Sequence, residues 1–248
     1  MPCCCVEKGS CIFYVAQPRG NGSASLYKHF RGTMQRYLFS VCLLLFVLVC
    51  GSSGISQCQA ATTEIEVVAS GTTGTLVVYS TANGTRQELL RTQAYVGRNG
   101  CSVDKREGDG KTPVGVYEIR RGFGLATPPV VGIAYTKLAG DEKWVDDVAS
   151  ARYNQWVTKD TTPVDWKSAE DLSKETVAYK YVAVIEYNTD KIVKGAGSAI
   201  FLHCTQDKPT SGCISVPEEA MVKILGLIQP GTRIAIAGSD AELKSLTK

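Results

Sequence analysis

Two linked stretches, Gly197-Ser-Ala-Ile-Phe-Leu-His203 and Lys208-Pro-Thr-Ser-Gly-Cys213-Ile-Ser-Val-Pro-Glu-Glu219, decide how this chain is read. Ala199 to Leu202 is apolar enough for a buried central strand. That strand ends on His203, the one histidine of residues 61–248. A tight polar loop follows and leads to Gly212-Cys213. From Val216 onward, Ala220, Met221, Ile224, Leu225 and Ile228 recur at helical spacing. Ser215 and Glu218 have capping-box spacing, and Pro217 fits a first turn. The expected order is therefore strand, His, loop, Gly-Cys, capped helix.

This order suits a cysteine nucleophile. The thiolate is the attacking species, and an imidazole in contact with it lowers the thiol pKa. A glycine before the cysteine lets backbone N–H groups approach a substrate carbonyl, so the Gly212 and Cys213 amides are candidate oxyanion donors. Other readings of the same residues stay open. Cys213 can be a small core residue and His203 a hydrogen-bonded one. A Cys204–Cys213 disulfide is conceivable in an exported protein. His203, Cys204 and Cys213 offer nitrogen and sulfur ligands, but neighbours on a strand face opposite ways, so no metal is expected.

Outward from this core, short β-type runs dominate. Ile65–Val68 and Leu76–Tyr79 flank Gly71-Thr-Thr-Gly74 and predict a hairpin. Asn83-Gly84 predicts a second tight turn, leading to a strand through Leu89 and Leu90. Val114–Ile119, Tyr181–Tyr187 and Thr232–Ala237 read as further strands, and Ser168–Glu175 as a short helix. Residues 120–170 read as a long, partly irregular insertion carrying Tyr135, Trp144, Tyr153, Trp156 and Trp166. Loops on a β scaffold often form binding walls, so Tyr153, Asn154 and Trp156 are candidate substrate contacts; loop packing is their plain alternative. Gly108-Asp-Gly-Lys-Thr-Pro113 lacks the Walker spacing, and Pro113 disfavours a helix running on from it, so it is read as a turn.

The two quoted stretches, together with Glu107-Gly-Asp-Gly-Lys-Thr-Pro-Val-Gly-Val-Tyr117 and Tyr95-Val-Gly-Arg-Asn-Gly100, resemble the L,D-transpeptidase family with its YkuD-type domain. The resemblance covers nearly all of residues 61–248. It implies a mostly β, sandwich-like domain with a few short helices, one following the catalytic Cys, and no cofactor. It implies an enzyme acting on peptidoglycan stem peptides. Cys213 attacks the carbonyl of the third stem residue, the terminal D-alanine leaves, and a neighbouring amine opens the thioester to form a cross-link. His203 would be the general base and later acid, and the Gly212 and Cys213 amides the oxyanion hole. Acylation by carbapenem-type β-lactams is implied as well. The chain departs from the commonest family signature: Ser211 stands where a second His precedes the Cys, and Ser215-Val216 replaces a usual Asn or Arg. It is closer to the subgroup with Pro-Thr-small-Gly-Cys before Pro-Glu-Glu, which leaves Thr210 and Ser211 as candidate substrate contacts. Two rivals remain: an L,D-carboxypeptidase using the same Cys with water, and a catalytically silent wall-binding module.

Residues 1–60 read differently. Leu38–Cys50 is an uncharged apolar run of 13 residues, preceded by Arg31 and Arg36 and followed by small and polar residues to Ala61. Basic, apolar, then small is the layout of a signal peptide, with cleavage expected after Ala60. The run is short of the ~20 residues that span a bilayer as a helix, so an uncleaved membrane anchor is the second reading. Met34, just before the run, is read as the true start. The exported body is then 61–248, a domain in the envelope, periplasm or extracellular wall. Of 27 basic and 24 acidic residues, five and one fall in 1–60, leaving 22 and 23 in the body. No basic excess remains there to serve nucleic acid. Seven of ten cysteines lie at or before Cys58, so Cys101, Cys204 and Cys213 form no disulfide framework.

Overall fold

The computed structural model describes residues 61–158 and 163–248; the signal-peptide reading of 1–60 lies outside them. The fourteen described strands are β1 Thr62–Ser70, β2 Thr73–Ala82, β3 Thr85–Tyr95, β4 Cys101–Ser102, β5 Thr112–Pro113, β6 Gly115–Gly124, β7 Ala134–Lys137, β8 Lys143–Val145, β9 Trp156–Val157, β10 Ala169–Asp171, β11 Val182–Ile185, β12 Phe201–Cys204, β13 Ile214–Val216 and β14 Arg233–Ala237. Two α-helices, α1 Glu218–Leu227 and α2 Asp240–Leu246, and a 3-10 turn at Ala178–Lys180 complete the described elements.

The first hairpins arise as local chemistry dictates. β1 alternates strictly, with Ile65, Val67 and Ala69 buried between more exposed residues. It pairs with β2 across Gly71-Thr72. Asn83 and Gly84 both take positive φ, 51° and 74°, as a two-residue hairpin turn requires. The main sheet has nine strands in the order β11-β12-β13-β3-β2-β1-β14-β6-β7. β11 also pairs with β6, so eight of the strands close on themselves and β7 hangs on the outside. The closed sheet encloses one core of Ile65, Leu76, Ile119, Leu202, Ile214 and Ile236, on which α1 lays Met221, Ile224 and Leu225. A second core of Phe123, Trp144, Leu172, Tyr179, Val182 and Phe201 lies on the other face of β11 and β12. The chain is mostly β, as the sequence implied.

Three local expectations are corrected. Ser168–Glu175 is not a helix: Ala169–Asp171 is β10, paired with β8 and pinned by the Lys143–Asp171 ion pair at 2.9 Å. Ser215 caps no helix. It lies in β13, opposite His203 of the parallel β12, and Pro217 takes the N-cap position with no side-chain bond. Cys213 thus opens a strand, and the helix begins five residues later. Within the expected strand Ala199–Leu202, Ala199 has φ 52° and pairing starts at Phe201. The ordered parts of the partly irregular insertion are the end of β6, β7 and a small sheet ordered β10-β8-β9.

Candidate active site

β12 and β13 run parallel with Leu202 opposite Ile214 and His203 opposite Ser215. Side chains alternate across each strand. Leu202, Cys204, Ile214 and Val216 therefore enter the barrel core. Phe201, His203, Cys213 and Ser215 share the other face. On that face Cys213 and His203 are diagonal neighbours, roughly 8 Å apart at Cα by strand geometry. Both line one cavity of about 520 Å³, together with Arg98, Lys105, Glu107, Glu170, Tyr179 and residues 208–212. Cys204 faces away from Cys213, and its thiol donates to Tyr181 O. All three described cysteines are free thiols. The alternate facing of His203 and Cys204 also breaks up the nitrogen–sulfur ligand set considered above, and no metal-binding cluster occurs among the described residues.

His203 Nδ1 lies 2.8 Å from Cys204 O. A carbonyl only accepts, so Nδ1 carries the proton and Nε2 keeps its lone pair. The Tyr179 ring packs edge-on against the imidazole, with centroids 5.6 Å apart. Burial pushes the imidazole pKa down to about 4. The ring is a neutral base at pH 7.

The Cys213 thiol is turned to Ala199 O, 3.2 Å away, and its sulfur accepts the Phe201 N–H at 3.3 Å. Burial pushes the thiol far above its usual pKa; the Glu170 carboxylate adds to the rise, while the Phe201 amide and Lys105 oppose it. The resting pair is thus neutral thiol and neutral imidazole, not the thiolate–imidazolium pair expected of a contacting imidazole.

The turn before Cys213 is closed by Thr210. Its hydroxyl donates to Cys213 O at 2.6 Å and accepts the Gly212 N–H at 3.1 Å. The Gly212 amide expected at an oxyanion is therefore engaged. Gly212 has φ 148°, and a Cβ there would meet Lys111 O at 2.9 Å. Thr210 and Ser211 both line the cavity, and Ser211 Oγ accepts from Arg98 at 2.9 Å.

The residues expected as substrate contacts between 153 and 156 stand outside the cavity lining. Tyr153 is fully buried; its hydroxyl donates to Glu107 Oε2 at 2.5 Å and accepts the Gly197 N–H. Trp156 packs edge-on against Phe123 and Trp144. Asn154 is a hub: Oδ1 accepts from Trp144 Nε1 and Ala199 N, and Nδ2 donates to Tyr187 O and Asn188 O. Tyr153 and Asn154 hold the strap leading into β12, and Trp156 packs among the aromatic rings, which is the packing alternative.

Sequence reasoning missed Lys105, Glu170 and Tyr179. Tyr179 donates to Glu170 Oε1, and burial pushes the Glu170 carboxyl up to about 7. Of these only Lys105 had a signal, its position two residues before the quoted Glu107–Tyr117 stretch.

The family profile described as YkuD, L,D-transpeptidase catalytic domain, matches residues 64–236. Among solved structures, the helical cell shape determining protein Pgp2 from Campylobacter jejuni is 17% identical, with a TM-score of 0.45 over 79% of this chain and 55% of its own. Bd1075 from Bdellovibrio bacteriovorus is 18% identical, with a TM-score of 0.40 over 78% of this chain and 57% of its own. This chain thus spans little more than half the length of those solved chains. No curated protein matches it.

Proposed function

The chain belongs to the L,D-transpeptidase catalytic-domain family, and from that premise we propose that it is an exported peptidoglycan L,D-transpeptidase with Cys213 as nucleophile and His203 as general base. The observation that carries this reading is the pairing of β12 with β13. It sets His203 and Cys213 on one face of one cavity, with Nδ1 held by Cys204 O so that Nε2 is the basic nitrogen.

The reaction starts from neutral partners. The thiol leaves Ala199 O, and its proton passes to His203 Nε2 as sulfur attacks the carbonyl of the third stem residue. The carbonyl electron pair moves onto oxygen, where the Cys213 amide donates. The Gly212 amide joins only by leaving Thr210 Oγ1. The C–N bond then breaks, and the His203 proton goes to the departing D-alanine amine. A thioester remains on Cys213. The acceptor amine of a second stem attacks it while His203 again takes the proton; the C–S bond then breaks, and His203 returns the proton to the Cys213 sulfur. No step calls on a cofactor. Export follows from the reading of 38–50 as a signal segment, which places the enzyme where wall substrate lies.

The test incubates the purified chain and Cys213→Ala with a disaccharide-tetrapeptide and follows protein and products by mass spectrometry. A cross-linked dimer that the variant fails to make supports transpeptidation. Loss of terminal alanine without dimer moves the assignment to an L,D-carboxypeptidase. Neither product, with no thioester and no carbapenem adduct at Cys213, leaves the wall-binding module.

A further inference from the structure

We propose that Lys105 is the buried cation that balances negative charge at the nucleophile turn: the Cys213 thiolate before attack and the oxyanion after it. The proposal rests on the reading of Cys213 as nucleophile.

Lysine is seldom buried unless paired. The Lys105 side chain is 3% exposed, yet the residue lines the cavity shared by Cys213 and His203. Nζ donates to Arg106 O at 2.6 Å and to Asp109 Oδ1 at 2.7 Å. Two of its three protons are thereby fixed and the third is left for the cavity. Asp109 does not spend its whole charge on Lys105. Its oxygens also accept the Arg106 N–H at 2.7 Å and the Lys111 N–H at 2.8 Å. The ammonium is held in place by a carboxylate whose charge is spread over amides.

Packing puts this cation behind the nucleophile turn. A Cβ on Gly197 would lie 3.1–3.3 Å from Lys105 Cγ, Cε and Nζ, and one on Gly212 3.6 Å from Cε. The side chain runs between the strap into β12 and the Gly212-Cys213 turn. The Gly212 N–H is spent on Thr210 Oγ1, so the turn lacks one of its expected donors where Lys105 lies. The other charged groups do not supply a substitute. Arg98 is exposed at the rim and bound to Ser211, and Lys208 is exposed. His203 is neutral at rest and becomes a cation only by taking the thiol proton, so it is no fixed charge. Glu170, with Tyr179 attached, opposes negative charge on the sulfur. Glu107 is tied to Tyr153 and Ser198. Lys105 gains and loses no proton in this role. As the S–C bond forms, the carbonyl pair moves to oxygen and the thiol proton moves to His203; the fixed ammonium lowers the energy of both charged species.

The test uses the full chain as wild type, Lys105→Met, Lys105→Arg, Asp109→Asn and the double variant Lys105→Met/Asp109→Asn. The double variant removes the ion pair as a unit and avoids a stranded carboxylate. One readout is the rate of Cys213 alkylation by iodoacetamide at pH 9, located by peptide mass spectrometry. The other is kcat and KM on the disaccharide-tetrapeptide. In the double variant, alkylation is expected to fall about tenfold, the effect of one pKa unit on thiolate fraction. Its kcat is expected to fall about 100-fold with KM nearly unchanged. Asp109→Asn keeps the ammonium but loosens its hold, so both readouts fall less than in the double variant, and Lys105→Arg restores part of both. An unchanged alkylation rate in the double variant overturns the proposal. So does an equal loss in Asp109→Asn, which would make the pair merely structural. If no stem peptide is turned over by wild type, the functional reading fails, while the alkylation rates still decide the role of Lys105.

Discussion

Asn154 holds Ala199: its Oδ1 accepts the Ala199 N–H at 3.1 Å, and Ala199 in turn presents the carbonyl that receives the Cys213 thiol at 3.2 Å. Both residues sit at positive φ, 57° and 52°. Asparagine tolerates that region and alanine does not, so the Ala199 conformation is strained by about 1 kcal/mol or more and is kept by its bonds. A residue remote from the cavity thus fixes the partner of the nucleophile.

Asn154→Ala is therefore expected to act on stability and on the rate together. It strands Trp144 Nε1 and the Ala199 amide in a buried setting and adds strain at residue 154, a loss of about 2–4 kcal/mol. Thermal melting should show a drop of many degrees. Among molecules still folded at low temperature, kcat should fall more than KM rises. A raised KM with an unchanged melting point would instead restore Asn154 as a substrate contact.

Cys213→Ala is expected to abolish turnover while leaving the fold in place. The thiol makes only two weak sulfur hydrogen bonds, to Ala199 O and from Phe201 N. Their loss should cost about 1 kcal/mol. A reaction that depends on a covalent thioester should fall by more than about 10⁴. Side-by-side melting curves and dimer yields check both halves. Residual turnover within tenfold of wild type would remove the mechanism.

The sheet was legible because its signals are local. The β-branched runs Ile65–Val68 and Leu76–Tyr79 around Gly71–Gly74, with the Asn83-Gly84 turn, set two hairpins with little help from the rest of the chain. The site was legible as a pair because His203 ends an apolar run and Cys213 follows a glycine. The environment of that pair was not legible, for it comes from tertiary contacts. Ser215 has capping-box spacing, yet pairing of β13 beside β12 outweighs a cap worth about 1 kcal/mol. Ser168–Glu175 reads as a short helix on its own, and its pairing with β8 is invisible in its sequence. That misreading also hid Glu170, to which Tyr179 donates. Tyr153, Asn154 and Trp156 show how aromatic and amide residues in a loop can serve the scaffold, since hydrogen-bond partners 30 or more residues away decide their role.

Gly212→Ala is expected to disturb the turn without touching either reacting side chain. At φ 148° an L side chain is strained, and the added carbon would approach Lys111 O at 2.9 Å and Ile200 Cδ1 at 3.3 Å. The backbone oxygen cannot give way cheaply, so a loss of about 1–3 kcal/mol is expected. The Thr210 bonds to Gly212 N and Cys213 O would loosen with it. Melting should fall by several degrees and kcat by at least tenfold. A variant that melts and turns over like wild type would show the turn to be more pliant than its packing implies.

His203 and Glu170 pull the pH dependence of stability in opposite directions. His203 has a folded pKa of about 4 against a usual 6.5. Between those values the unfolded chain binds the proton and the folded one does not. Its contribution is intact above pH 6.5 and is lost as pH falls towards 4, up to about 3 kcal/mol. Glu170 has a folded pKa of about 7 against a usual 4.5. Here the folded chain keeps the proton that the unfolded chain has released. Its contribution is intact below pH 4.5 and is lost as pH rises towards 7, by a similar amount, about 3 kcal/mol at most. From pH 4.5 to 6.5 the two slopes oppose, and their joint contribution is nearly flat. Glu170→Gln keeps an acceptor for Tyr179 and removes one slope. Its melting temperature should decline as pH falls from 6.5 to 4, while wild type holds level down to about 4.5, and relative to wild type it should gain most above pH 7. Melting curves of both proteins from pH 4 to 8 decide the matter, and parallel curves across that range would mean that burial does not hold Glu170 out of its usual protonation state.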